Sequence, residues 1–167
     1  MAIISSSVAP NYLASEGMAN AVQLAIYNRL AASTGIKRLL ADRLHAPGLP
    51  AIYDDVTQAG DSADDSVFPY IVIGGDSVRD WSTDSSSGGD IEVTIDVWSR
   101  YDGKREAKRI QAAIRSALHR AELSVPDHEF VGCDFDQEQP VTLDPDGHTY
   151  HGVSSFRVLV DEAGYGN

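Results

Sequence analysis

His148 and His151 form an HxxH pair just after Asp144 and Asp146, and of all residues in the chain these best suit a metal ion. Their spacing works against that use. The surrounding run alternates as a strand does, and positions i and i+3 of a strand point to opposite faces, so the two rings diverge. Asp144-x-Asp146-Gly147 also has the opening of a calcium loop, but Ser155 stands where such a loop needs its bidentate glutamate. A tight turn, with Pro145 second and Gly147 fourth, explains Asp144-Pro145-Asp146-Gly147 completely. We expect no metal and no other cofactor here.

Other chemistry is equally thin. Gly75-Asp76-Ser77 lacks the second glycine of a nucleophile elbow, and no GxxxxGK phosphate loop occurs. The single cysteine, Cys133, cannot form an internal disulfide, and its alternation onto an apolar strand face predicts a buried packing residue. The carboxylate pairs Asp54-Asp55 and Asp64-Asp65 lie in a polar stretch where nothing would raise a pKa. The expectation is a protein that is not an enzyme.

The elements that would position these residues can be read from periodicity. Residues 16–30 predict an amphipathic helix, with Met18, Val22, Ile26 and Leu30 in one stripe and Ser15 as its cap. Gly35 interrupts it, and residues 36–44 predict a second short piece ended by Pro47, Gly48 and Pro50. Residues 51–56 predict a short strand that enters an acidic loop, 54–66, with five aspartates. Residues 68–73 and 91–98 predict strands; in the latter, Ile91, Val93, Ile95 and Val97 share a face. Residues 74–90 then read as a connection much longer than a usual hairpin loop, either mobile or used.

Asp102 is the predicted cap of a helix over residues 103–123, whose apolar stripe is Ala107, Ile110, Ile114, Ala117, Leu118 and Ala121. Two strands follow. Over residues 130–136, Val131, Cys133 and Phe135 are predicted to share a face; over 150–161, Phe156, Val158 and Val160 do so. This order predicts a single α+β domain over residues 15–163, with two main helices on one face of a mainly antiparallel four- to five-stranded sheet. Residues 1–14 read as an N-terminal arm and 164–167 as a C-terminal tail.

The net charge of −12 disfavours tight non-specific binding of nucleic acid, which depends on neutralising phosphates. No window reaches the apolar length of a membrane span, so no membrane partner is expected. Charge is also unevenly spread. Six of the thirteen basic residues lie between Lys104 and Arg120, whereas residues 121–156 contain none and are rich in acids. Lys104, Arg105, Lys108 and Arg109 gather at the predicted helix start, the unfavourable end for the helix dipole. Val78, Arg79 and Trp81 sit in an otherwise polar stretch. These seven residues are the candidate interface positions, and basic and acidic faces suit docking between unlike surfaces of neighbouring subunits.

Three segments, taken in order, resemble the tail-completion (tail-terminator) proteins of long-tailed bacteriophages and gene transfer agents. They are Ile52-Tyr53-Asp54 followed by Phe68-Pro69-Tyr70-Ile71-Val72-Ile73-Gly74; Ile95-Asp96-Val97-Trp98-Ser99 leading into Gly103-x-x-x-Ala107-x-x-Ile110; and His148-Thr149-Tyr150-His151-Gly152-Val153 leading into Phe156-Arg157-Val158. The resemblance spans residues 17–161. It implies an α+β virion subunit forming a six-membered ring on the head-proximal end of the tail tube, assembled in the host cytoplasm. Such a ring stops tube growth and meets the head-completion (stopper) protein, while DNA passes through its lumen unread. The arm before Ser15 and the long acidic loop between Tyr53 and Phe68 depart from the family pattern. They leave room for another neck role, adaptor or stopper. The rival from a different class is a soluble module binding a metal or small ligand through His148 and His151.

Overall fold

The computed structural model describes residues 17–40, 44–46, 49–59 and 63–163. The predicted arm 1–14, the cap Ser15, the loop residues Pro47 and Gly48, part of the acidic loop and the tail 164–167 lie outside the described residues.

The elements run α1 (Met18–Ala32), α2 (Thr34–Leu39), β1 (Leu44–Ala46), β2 (Leu49–Pro50), β3 (Ile52–Tyr53), β4 (Tyr70–Asp80), β5 (Gly88–Ser99), α3 (Arg105–Leu118), β6 (His128–Glu138), β7 (Thr142–Leu143) and β8 (Tyr150–Glu162). The main sheet has the order β3-β4-β5-β8-β6, with β7 added along β8; β1 and β2 form a separate small pair. Only β3 and β4 are parallel; the other pairs of the main sheet are antiparallel. Helices α1 and α3 pack on the sheet, α1 against β4 and β5, α3 against β5, β6 and β8, while α2 bridges the two helices. The fold is the expected α+β domain, with one strand more than the four or five read from the sequence.

Alternation makes the core. Ile91, Val93, Ile95 and Val97 of β5 pair with Val158, Phe156, Ser154 and Gly152 of β8, and all eight are buried. Above them lie Ala21, Val22, Ala25, Ile26 and Leu30 of α1 and Ala107, Ile110, Ile114 and Leu118 of α3. The small alanines let both helices sit close to the sheet. Gln111 of α3 is buried too, a polar residue within the apolar stripe; its amide donates to the Val153 carbonyl at 3.3 Å and to Ser154 Oγ at 3.4 Å.

Five expectations need correction. The second helical piece is Thr34–Leu39 rather than 36–44, with Gly35 inside it; the break falls at Ser33, whose Oγ accepts from the Ile36 amide. The 74–90 connection is mostly strand: β4 continues to Asp80 across a bulge at Gly74-Gly75, and β5 begins at Gly88. Two glycines without side chains hid this continuation, because the extra residue shifts the helix-side face from 71 and 73 to 76 and 78, which extend past the core and are exposed. Val131 does not share a face with Cys133. A bulge between Phe130 and Gly132 leaves Val131 exposed and puts Phe130 opposite Val160 on the core side. Helix α3 starts at Arg105 rather than 103, with Lys104 instead of Asp102 at its N-cap, and ends at Leu118 rather than 123. There Arg120 turns to φ +56°, and its amide donates to the Cys133 carbonyl at 2.7 Å, tying the helix exit to β6. Finally, the strand predicted over 51–56 is only Ile52–Tyr53, followed by a 3-10 turn over Val56–Ala59.

Candidate functional site

The residues singled out for metal chemistry are held apart. His151 Nε2 lies 2.5 Å from Asp96 Oδ1, and its ring stacks on Trp98 with centroids 4.0 Å apart. The exposed His148 turns back to the Asp146 carbonyl, 2.9 Å from Nδ1. Asp146 is the keystone of its turn: its carboxylate accepts from the amides of His148 and Thr149 and from Thr149 Oγ1. Gly147 supplies the positive φ of +80° that closes the turn, and its amide donates to the Asp144 carbonyl at 3.0 Å. The Thr149 hydroxyl first, then the two amides, hold the Asp146 carboxyl well below the usual carboxylate range. These bonds are those of a structural turn.

Cys133 is buried on β6, and burial, helped by neighbouring Asp134, pushes its thiol up to about 12. The native protein is therefore expected to leave a disulfide reagent such as DTNB unreacted at pH 8 over minutes, whereas the urea-unfolded chain consumes one equivalent. Rapid native reaction would show the strand to be open at this point.

The predicted interface residues fall on two surfaces. Val78, Arg79 and Trp81 stand at the free end of the β4–β5 hairpin. Past the bulge, β4 pairs only with β5 among the described residues, so it forms the sheet edge. Val78 is 52% exposed and Trp81 39% exposed. Arg79 reaches Glu92 at 3.5 Å. The segment linking the strands is tied down internally. The Asp80 carboxylate accepts from Ser82 Oγ at 2.5 Å and Ser82 N at 3.1 Å, bonds that lower its pKa, and Thr83 N donates to the Ser86 carbonyl at 2.8 Å. The Trp81 amide donates to the Gly88 carbonyl at 2.9 Å, and the ring lies over Gly88, where a Cβ would come within 3.0 Å of it. Trp81 thus rests partly on its own sheet and leaves the rest of its ring to solvent.

Lys104, Arg105, Lys108 and Arg109 are exposed around the first turns of α3. Ser99 Oγ donates to Glu106 Oε2 at 2.5 Å, which fixes this helix start to the end of β5. Sequence reasoning missed what packs beside it. Arg38 and Leu39 of α2 join Tyr101, Arg105, Glu106 and Arg109 around a cleft of about 400 Å³, and Tyr101 is 48% exposed. The Lys37-Arg38 pair was visible in the chain, but nothing local tied it to residues far downstream. The two surfaces lie at opposite ends of β5, about 36 Å apart along the strand.

The profile of the family "Tail completion protein gp17" matches residues 24–161. The tail completion protein gp17 of Bacillus phage SPP1 is 32% identical over 97 residues, 58% of this chain and 71% of that protein. A chain from the virion of a native gene transfer agent particle superposes with TM-score 0.72 at 26% identity, covering 88% of this chain and 99% of that one. The chain is a structural component of a phage-type virion tail, working in assembly with other virion proteins. It belongs to the tail completion protein gp17 family.

Proposed function

We propose that six copies of the chain close into a ring on the head-proximal end of the tail tube. The ring ends tube polymerisation and offers its far side to the head-completion (stopper) protein, with DNA passing through the lumen unread. The chain acts by fitting against other subunits and catalyses nothing. Its net charge of −12 suits a channel in which DNA must slide, because phosphates are repelled rather than held.

The free hairpin end carries this reading. An exposed tryptophan at the tip of a hydrogen-bonded hairpin edge, with an exposed valine on the opposite face of the same strand, is the kind of apolar anchor that a protein partner buries. We assign this end to the tail tube.

The test is tube growth. Purified tube protein polymerising with the chain present is expected to give shorter tubes, with the chain at one end in electron micrographs. Trp81→Ala should keep the fold yet weaken capping by about 2 kcal/mol, roughly thirtyfold in affinity. If Trp81→Ala caps as well as wild type, the hairpin end is not the tube contact. If the wild-type chain leaves tube length unchanged and binds neither end, the terminator role is wrong.

A further inference from the structure

Among the described basic residues, Arg79, Arg100, Arg120 and Arg157 pair with carboxylates. Arg29 donates to the Ala117 carbonyl, and Arg115 lies over the Phe135 ring. The others, Lys37, Arg38, Lys104, Arg105, Lys108 and Arg109, have no carboxylate within ion-pair distance among the described residues. All of them sit where the end of α2 meets the start of α3. A chain with 25 acids and 13 bases has no shortage of carboxylates. Leaving this corner unneutralised, at the positive end of the α3 dipole, costs the isolated chain energy that an acidic partner removes.

The same chain carries the complement. At the start of β6 and the end of β8, Glu122, Asp127, Glu129 and Glu162 are exposed and have no ion pair among the described residues. Glu122 lies beside the exposed Val131 in a surface cleft that Arg120 and Asp134 also line, and Asp127, Glu129 and Glu162 stand toward the strand end, where His128 pairs with Glu162; at the other corner Arg38, Arg105 and Arg109 line the cleft of Tyr101 and Leu39. β6 is the outer strand of the sheet, paired only with β8 among the described residues. The acidic patch lies at the end of the sheet away from the basic corner: β8 pairs antiparallel with β5, so Gly88 meets Asp161 while Ser99 meets Tyr150. No bending of one chain brings the two together.

We propose that the basic corner of one copy docks on the acidic β6 end of the next, head to tail, with Tyr101 and Leu39 against Val131 at the centre of the contact. This rests on the ring reading above and supplies the lateral contact that the ring needs. Two unlike patches on one molecule make a heterologous contact, which closes into a ring when its rotation permits. Apolar residues with complementary charge nearby match the ordinary anatomy of such a contact.

Charge exchange tests it. Lys108→Glu/Arg109→Glu and Glu122→Lys/Glu129→Lys alter exposed side chains, and circular dichroism checks that both variants fold. In sedimentation velocity the wild type is expected to self-associate, less so as salt rises from about 0.05 to about 0.5 M. Each double variant alone should associate at least about tenfold more weakly. A 1:1 mixture of the two, and the quadruple variant, should recover association, because the exchanged charges are again opposite. The proposal is overturned if either reversal leaves association at wild-type strength, or if the mixture stays dissociated. A wild type still monomeric at about 1 mM overturns it too. So does a duplex DNA gel shift that Lys108→Glu/Arg109→Glu abolishes, since the corner would then bind phosphate. The tube-growth assay run in parallel separates the two failures: tubes capped with self-association indifferent to charge leave the terminator role standing and remove only this contact.

Discussion

Phe156→Ala is expected to destabilise the fold by about 4 kcal/mol, within the range for emptying a buried aromatic site. Phe156 lies in the middle of β8, itself between β5 and β6, and it is fully buried. Val93 faces it across one strand pair and Phe135 across the other, the two phenyl rings meeting edge to face with centroids 5.7 Å apart. Removing the ring opens a cavity beneath α3 that cannot collapse without moving three strands. Phe156→Leu keeps most of the volume and should cost only about 1 kcal/mol. Urea titration is the measurement, read as a lower midpoint with an unchanged slope. A loss under about 1 kcal/mol for the alanine variant would mean that the β5–β8–β6 layer is not the main support of the domain. Because small domains have a total stability of about 5–15 kcal/mol, the alanine chain should also assemble poorly at growth temperature.

Arg100→Ala comes second, with an expected loss of about 3 kcal/mol. The Arg100 side chain is only 10% exposed and joins three segments distant in sequence. Its Nε donates to Thr149 Oγ1 at 3.0 Å, one terminal nitrogen donates to Asp65 at 2.6 Å and the other lies 3.7 Å from Asp146, while the guanidinium covers the Phe68 ring at 4.2 Å. Lysine keeps the charge but not the planar fork, so Arg100→Lys should recover less than half the loss. Asp65→Ala should cost under about 1 kcal/mol, because the Asp65 side chain is 82% exposed and water screens the pair.

The same clasp sets part of the pH response. The carboxyl of Asp146 is held below its unfolded value by Thr149 and the amides of His148 and Thr149. Its contribution is therefore complete above the unfolded pKa of about 3.9, and it is lost as pH falls through the depressed folded value. Urea midpoints measured from pH 7 down to pH 2.5 should fall less steeply in Asp146→Asn than in wild type. Equal slopes would show that Asp146 carries no such linkage.

Where local pattern and packing agree, the chain is legible. The clean alternation of β5 and the Pro145-Gly147 turn stand as read, and β8 extends its predicted run by one residue, because side-chain period and turn chemistry depend on immediate neighbours. The misreadings cluster at register shifts. One inserted residue at Gly74-Gly75 and another at Val131 reverse which positions face the helices, and no local pattern announces an insertion of that kind. The end of α3 was missed for a related reason: Ala121 and Leu123 continue the apolar spacing, yet Arg120 leaves the helix to bond β6. The candidate interface was half legible. Its α3 cations and hairpin residues stood out in sequence, while Lys37, Arg38, Leu39 and Tyr101 did not.

By itself, the sequence determined the α+β class, the two main helices, the acidic balance and, through the ordered segments from Ile52 to Val158, membership in a family of virion tail proteins. These follow from composition and from periodicities set by neighbouring residues, so no partner strand or helix is needed to read them. Only the tertiary structure decided that α2 lies beside the start of α3, that Arg100 closes on Thr149 and Asp146, and that the acidic end of β6 lies at the far end of the sheet from the basic corner. Each of these is a meeting of segments tens of residues apart. Their meeting is fixed by how the sheet stacks under its helices and by one-residue bulges in β4 and β6, and that information belongs to the packed chain as a whole.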